Sequence, residues 1–331
     1  MTYFLFSILF INIFIFVLNK RIATSINLFD KPDDIRKFHK KDVPLTGGFF
    51  IYATITAYLV IHKLNLINFN FLSDNELYIY YICATLFFAL GIYDDKKNLN
   101  ANYKLSLTII IILINIFFDE TSTLKRINLS FLPIFDIGSF SIFWTLICYL
   151  LFINAFNMLD GINLQTALYS LVLCLIFLIY GFNYFFFISI IISLIFFSIL
   201  NYKNNSFMGD SGTYLLSYTF SYFFIKSYNY GNIVSADLIV LAMFLPGLEL
   251  VRVFFERLLI RKHPFSADRR HLHHFLLKKF NLFCTLLIIQ SVITLPLIFA
   301  IITKNILLPL IIQLIIYTFL VIKYKKLSSF S

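Results

Sequence analysis

The sequence predicts an all-α polytopic membrane protein of about eleven transmembrane helices, with the N-terminus outside and the C-terminus cytoplasmic. Three observations lead there. The 331 residues are 60% hydrophobic and only 13% charged, with a mean hydropathy of +0.85, which excludes an ordinary soluble domain. Apolar runs long enough to cross a bilayer recur from end to end. Lysine and arginine gather on alternate connectors.

The runs follow one another in order. Residues 2–18 lack a basic n-region and a small-residue cleavage site, so they read as a retained span, not a signal peptide. Run 46–63 opens through Gly47-Gly48, 77–93 ends at Asp94-Asp95, and 104–118 starts at Lys104. Run 138–153 leads into an Asn- and Asp-bearing island, and 164–181 and 183–200 carry almost no charge. Run 212–229 follows Gly209-Asp210-Ser211-Gly212, 234–258 contains Glu249, Arg252 and Glu256, and 283–302 and 305–322 close the series. Connectors between them are short, so residues 1–331 read as a single integral-membrane domain.

With the N-terminus outside, segments 19–45, 94–104, 201–210, 257–282 and 323–331 face the cytoplasm and hold 21 of the 27 Lys and Arg. Part of the net charge of +10 meets anionic lipid headgroups, and part can attract a polyanionic substrate. Nucleic acid is excluded as a partner, because no soluble basic face with interleaved aromatics is present. Cys83, Cys148, Cys174 and Cys284 are scattered through apolar spans and suggest neither a disulfide framework nor a zinc site.

Acidic side chains are scarce, and Asp94-Asp95, Asp160, Asp210 and Asp268 all fall in polar islands on the cytoplasmic side. Ionisable groups at a membrane edge are costly, so their concentration there calls for a function. The first island, Arg36 to Gly48, offers cations for a phosphate; read plainly, it is a basic inner loop. The second, Gly91 to Leu99, places adjacent carboxylates at a helix end, where they can bind a divalent cation or position a nucleophile, or simply be solvated.

In the third island Asn154, Asn157 and Asp160 line one side of about two helical turns, giving donors and acceptors on one stripe; interhelical hydrogen bonding is the plain alternative. The fourth, Phe207 to Thr213, leaves space beside Asp210 for a hard cation and its waters, while Asp210 could equally cap the next helix. The fifth, Arg261 to His274, holds four of the six histidines and is better suited to diphosphate oxygens than to a transition metal. Glu249, Arg252 and Glu256 share a helical face and read as mutual neutralisation inside the bundle.

Taken together and in this order, the five islands resemble the polyprenyl-phosphate N-acetylhexosamine-1-phosphate transferases, the WecA/TagO-like branch of the superfamily that includes MraY. The resemblance spans residues 36–276. It implies transfer of a sugar-1-phosphate from a UDP-sugar to undecaprenyl (polyprenyl) phosphate at the cytoplasmic face of the cell inner membrane. UMP would be released and a lipid-linked glycan begun. It also implies Mg²⁺, with Mn²⁺ as the alternative, membrane lipids as surroundings, and a homodimer as the candidate oligomer.

By motif, Asp94, Asp95 and Asp160 become catalytic candidates and Asp210 the metal ligand. Asn154, Asn157, Asn163 and Asn201 become nucleotide contacts, and Arg269, His271, His273 and His274 contacts to diphosphate or sugar. His39, Lys40, Lys41 and Lys104 would serve the lipid phosphate. Which of Asp94 and Asp95 acts on that phosphate stays open. N-acetylglucosamine is the default sugar.

The chain departs from the pattern in the third island, where Asp-Gly-x-Asp-Gly is usual and Asn163-Leu164 follows Asp160-Gly161-Ile162. Glu249 stands where Asp is usual. The alternatives are a transporter, a CDP-alcohol phosphatidyltransferase, whose Ala-Arg after Asp-Gly is absent, and a catalytically silent relative acting as an assembly scaffold.

Overall fold

The computed structural model describes residues 2–32, 41–64, 66, 72–262 and 270–328. Twelve α-helices account for most of them: α1 Thr2–Ile26, α2 Gly47–Lys63, α3 Asp74–Lys97, α4 Ala101–Phe118, α5 Ser141–Leu159, α6 Gln165–Ile179, α7 Tyr184–Tyr202, α8 Gly209–Asn229, α9 Ala236–Leu259, α10 Leu272–Leu277, α11 Leu282–Thr303 and α12 Leu307–Ser328. Every apolar run anticipated from the sequence is helical. Eight of the described helices are long and apolar enough to cross a membrane; α2 and α6 are shorter, and α8 is more polar. Two short antiparallel pairs punctuate the helices: β1 Phe29–Asp30 with β2 Val43–Pro44, and β3 Arg126–Ile127 with β4 Phe135–Asp136.

The chain divides into two compact units. The first comprises Met1–Thr123 and Thr166–Asn232, the second Leu124–Gln165 and Ile233–Ser331. In the first, α8 is the central element and is buried from Ser211 to Ser227. Its hydroxyl-rich sequence tolerates that burial because Ser217, Thr219 and Ser221 donate to carbonyls three or four residues back. Aromatic rings complete the packing: Tyr218 stacks on Tyr80 and Phe87 with centroids 5.8 and 4.9 Å away, and the Tyr80 hydroxyl meets Thr219 at 3.0 Å.

Glycine lets neighbouring helices reach the start of α8. A Cβ on Gly91 of α3 would lie 2.3 Å from the Ser211 Cα, and one on Gly48 of α2 would lie 2.7 Å from the Ser211 hydroxyl. No larger residue fits there, so these positions fix the distance at which α3 presents Asp94-Asp95 to α8.

A buried charge cluster ties the other ends of these helices. Lys226, fully buried, lies 2.5 Å from Glu76 and 2.7 Å from Asp119. Tyr222 donates to Asp119 at 2.8 Å, and Thr121 and Tyr230 donate to Glu76. Glu76 also completes a capping box with Ser73 at the start of α3. In the second unit, Asp237 in the first turn of α9 is buried and accepts the Ser130 amide at 3.0 Å, anchoring the segment between β3 and β4.

Candidate active site

The first set of candidate residues surrounds the N-terminus of α8. Helix α3 stops just after its acidic pair, where Asn98 takes a left-handed conformation (φ 48°). The chain then folds back on its own carboxylate, the Leu99 amide donating to Asp94 Oδ1 at 3.0 Å. Asn100 caps α4 through the Asn102 amide, and the first turn of that helix brings Lys104 beside Asp94. Lys104 Nζ lies 2.5 Å from Asp94 Oδ2 and 3.8 Å from Asp210 Oδ2, so one ammonium stands between two carboxylates. Asp94 is 1% exposed, whereas the Asp210 and Lys104 side chains are about a third exposed.

Asp95 has a different position. Its two carboxylate oxygens accept the backbone amides of Asp210 at 2.8 Å and Ser211 at 3.1 Å. These are first-turn amides of α8, which no carbonyl within the helix can satisfy. The cap therefore comes from α3, 115 residues away in sequence, and it fixes the backbone that carries Asp210. Among the described residues no three His, Cys, Asp or Glu converge in a metal-holding group. Asp94 and Asp210 nevertheless offer hard oxygen donors on either side of a cation, the donor type that Mg²⁺ takes.

The second set belongs to the other unit. Asn154 and Asn157 lie on the last turns of α5, and Asp160 is its C-cap, exposed to solvent. The Asn154 side chain donates to the Leu150 carbonyl at 2.7 Å. Beyond Gly161 the chain turns through Leu164, whose φ of 66° is left-handed. That residue stands where the resemblance places glycine, the residue type that adopts such a conformation at no steric cost.

The histidines pack against this turn. His271 is the N-cap residue of α10, and the rings of His271 and His273 stack with centroids 5.4 Å apart. His274 meets His273 at 4.2 Å. A Cβ on Gly161 would fall 2.1 Å from His273 Nε2, which explains glycine after Asp160: the imidazole occupies that space. Burial, reinforced by His274, His271 and Arg252, holds the His273 imidazole well below the ordinary histidine range, so it is neutral. His271 Nδ1 lies 3.5 Å from Glu249 Oε2.

The structure thus brings Asp94, Asp95, Lys104 and Asp210 together in one unit, and Asp160 with the three histidines' segment in the other. Lys104, expected at the lipid phosphate, sits on the acids. Asn201 is buried and its amide donates to the Ser206 carbonyl at 2.8 Å, closing the turn that leads to α8. Lys41 is exposed. Asn157 and Asn163 are half-buried near Asp160 in sequence. His39, Lys40 and Arg269 lie outside the described residues. Sequence reasoning passed over Tyr317 of α12, whose hydroxyl donates to Glu249 Oε1 at 3.0 Å; a tyrosine within an apolar run carries no local signal.

A family described as Glycosyl transferase family 4 matches residues 77–228, a stretch that contains Asp94, Asp95, Lys104, Asp160 and Asp210. The chain is also similar to proteins named undecaprenyl-phosphate alpha-N-acetylglucosaminyl 1-phosphate transferase. The relative from Salmonella typhi is 30% identical over 82% of this chain and 74% of its own length. The Escherichia coli K12 relative is 26% identical over the same shares. The relative from Thermotoga maritima is 29% identical over 81% of this chain and 79% of its own length. On this identity, sustained across most of both chains, and on the acidic motifs the match encloses, the chain belongs to glycosyl transferase family 4, among the polyprenyl-phosphate N-acetylhexosamine-1-phosphate transferases.

Proposed function

We propose that this protein transfers N-acetylglucosamine-1-phosphate from a UDP-sugar to undecaprenyl phosphate, releasing UMP and starting a lipid-linked glycan. The observation that carries the reading is the alternation of Asp94, Lys104 and Asp210 at the capped N-terminus of α8. It is a site built to hold cations and anions side by side at a partly open position. The relatives' names favour this activity over the transporter and scaffold alternatives.

In the reaction an oxygen of the lipid phosphate attacks the sugar-bearing phosphorus of the donor. The bond between that phosphorus and the bridging oxygen breaks, and UMP leaves with the bridging oxygen. Both reactants are anions, so charge must be screened and the two groups aligned. Asp210 and Asp94 are the side chains that would hold Mg²⁺, which when bound screens the diphosphate and stabilises the departing phosphate. Two carboxylates suffice, because Mg²⁺ commonly keeps waters and substrate oxygens as its other ligands.

Lys104 balances the two acids and is the group that can turn to the lipid phosphate as it enters. Asp95 keeps the end of α8 in place, which leaves Asp94 as the carboxylate that aligns the lipid phosphate or takes its proton. Asp160 with Asn154, Asn157 and Asn163, and the histidines with Arg269, serve the donor's nucleotide and diphosphate. The neutral His273 keeps the segment apolar on its buried side, while the half-buried His274 is the histidine assigned to phosphate oxygens.

The positive-inside bias supports an orientation with the N-terminus outside and the sites facing the cytoplasm of the inner membrane. Eleven crossings then require α2, α6 and α8 to span alongside the eight apolar helices, all within one functional domain and with a homodimer as the candidate assembly.

The test is to incubate membranes containing the protein with undecaprenyl phosphate, Mg²⁺ and a panel of UDP-sugars, and to quantify UMP and lipid-linked sugar. Asp210→Asn and EDTA should each abolish the product. Turnover that survives EDTA sinks the metal assignment, and absence of turnover with every donor sinks the activity.

A further inference from the structure

Arg252, about two-thirds of the way along α9, reads from the sequence as a charge neutralised by its helical neighbours. It does pair with Glu249 at 2.8 Å and Glu256 at 2.8 Å, and Lys325 of α12 joins Glu256 at 2.8 Å, so two cations balance two carboxylates. Neutralisation leaves two further contacts unexplained. Arg252 Nη2 donates to the backbone carbonyl of Arg270 at 2.7 Å, and the guanidinium lies 5.6 Å from the centre of the Phe275 ring. Those residues stand immediately before His271 and immediately after His274. One side chain therefore grips both ends of the histidine segment.

The rest of the network aims that grip. Arg252 Nε donates to the Tyr317 hydroxyl at 2.9 Å, and that hydroxyl donates onward to Glu249 Oε1 at 3.0 Å. Glu249 Oε2 accepts the Leu272 amide at 3.4 Å and lies 3.5 Å from His271 Nδ1. The segment needs such support: α10 has six residues, too few to hold a helix by itself, and its N-cap residue His271 makes no side-chain capping bond. A planar fork can serve a carbonyl, a hydroxyl and two carboxylates at once, which a lysine ammonium cannot. Burying such a set is costly, so its retention in an apolar helix fits a role in fixing geometry.

We propose that Arg252, aligned by Glu249 and Tyr317, is a positioning residue that sets the His271–His274 segment for the donor's diphosphate. The inference rests on the assignment of those histidines to the donor. It places the specificity of the effect on one substrate: loosening the segment weakens the sugar nucleotide and leaves the lipid phosphate untouched.

The experiment uses the detergent-purified full chain with Arg252→Lys, Tyr317→Phe and, for comparison, His274→Ala. UMP release is measured while UDP-N-acetylglucosamine and undecaprenyl phosphate are varied separately, and amide hydrogen exchange is followed in the peptide covering residues 270–277. Arg252→Lys should raise the donor KM about tenfold, the scale of a lost charge-assisted hydrogen bond, with the acceptor KM within about twofold. Exchange should quicken in residues 270–277 and stay unchanged in α3 and α8. Tyr317→Phe, a milder change that keeps the fold accessible if the lysine variant misfolds, should act in the same direction by about threefold. An unchanged donor KM, equal shifts in both KM values, or unchanged exchange in residues 270–277 would each overturn the proposal. If the unaltered protein shows no turnover with any donor, the functional reading fails by itself, and the exchange data alone decide whether Arg252 anchors the segment.

Discussion

Asp95 accepts the backbone amide of Asp210 at 2.8 Å, so one acid of the site holds in place the helix end that carries another. The neighbouring Asp94 instead faces Lys104. Two adjacent aspartates on one helix thus differ in what they touch, and their substitutions should separate. Asp95→Ala removes the cap of α8 and should cost about 0.5–2 kcal/mol of stability, seen as a lower Tm in detergent. Asp94→Asn should leave Tm nearly unchanged and abolish UMP release. Equal losses of Tm in both variants would contradict the division of roles.

The Lys226 cluster predicts a stability effect remote from the chemistry. Lys226→Met would leave Glu76 and Asp119 buried without their cation and should cost about 3–5 kcal/mol. Arg126→Ala, which breaks an exposed pair with Asp136, should not move the unfolding midpoint measurably. Comparable midpoints for the two variants would show that the cluster contributes little.

His273 predicts a pH dependence of stability. Its folded-state pKa lies well below the ordinary value, while the unfolded chain titrates near about 6.5. Above that pH both states are neutral and the histidine has no effect. As pH falls below it, the unfolded state gains a proton that the folded state refuses, so stability declines by up to about 1.4 kcal/mol per pH unit from this group. Tm measured from pH 7.5 to 5.5 should fall more steeply for the unaltered protein than for His273→Asn. Parallel curves would contradict this origin.

Leu164 predicts a reversal of a familiar order. Alanine normally stabilises relative to glycine by about 1 kcal/mol through the unfolded chain. At the left-handed φ of Leu164 the order should invert, with Leu164→Gly unfolding at a higher temperature than Leu164→Ala. A higher Tm for the alanine variant would mean that the turn relaxes to another conformation.

Much of this architecture is written locally. Apolar runs specify helices because every backbone group in a bilayer must be satisfied within its own segment, so run length and composition alone mark α1, α5 or α11. The islands are legible for the same reason: Asp94-Asp95, Asp210 and the histidines stand out against surroundings that tolerate few charges. The departure at Asn163-Leu164 is also visible in the sequence, though the left-handed turn at Leu164 is not.

The amino-acid sequence by itself determined the helical membrane class, the order of the polar islands and the family to which they belong. Only the tertiary structure decided which acid caps α8, that Lys104 stands between Asp94 and Asp210, and that Arg252 and Tyr317 reach the histidine segment. The reason is physical. Hydropathy and helix formation depend on neighbours within a few turns. A carboxylate's partner is chosen by packing between helices, where Gly91 can admit Ser211 and so bring Asp95 to amides 115 and 116 residues away.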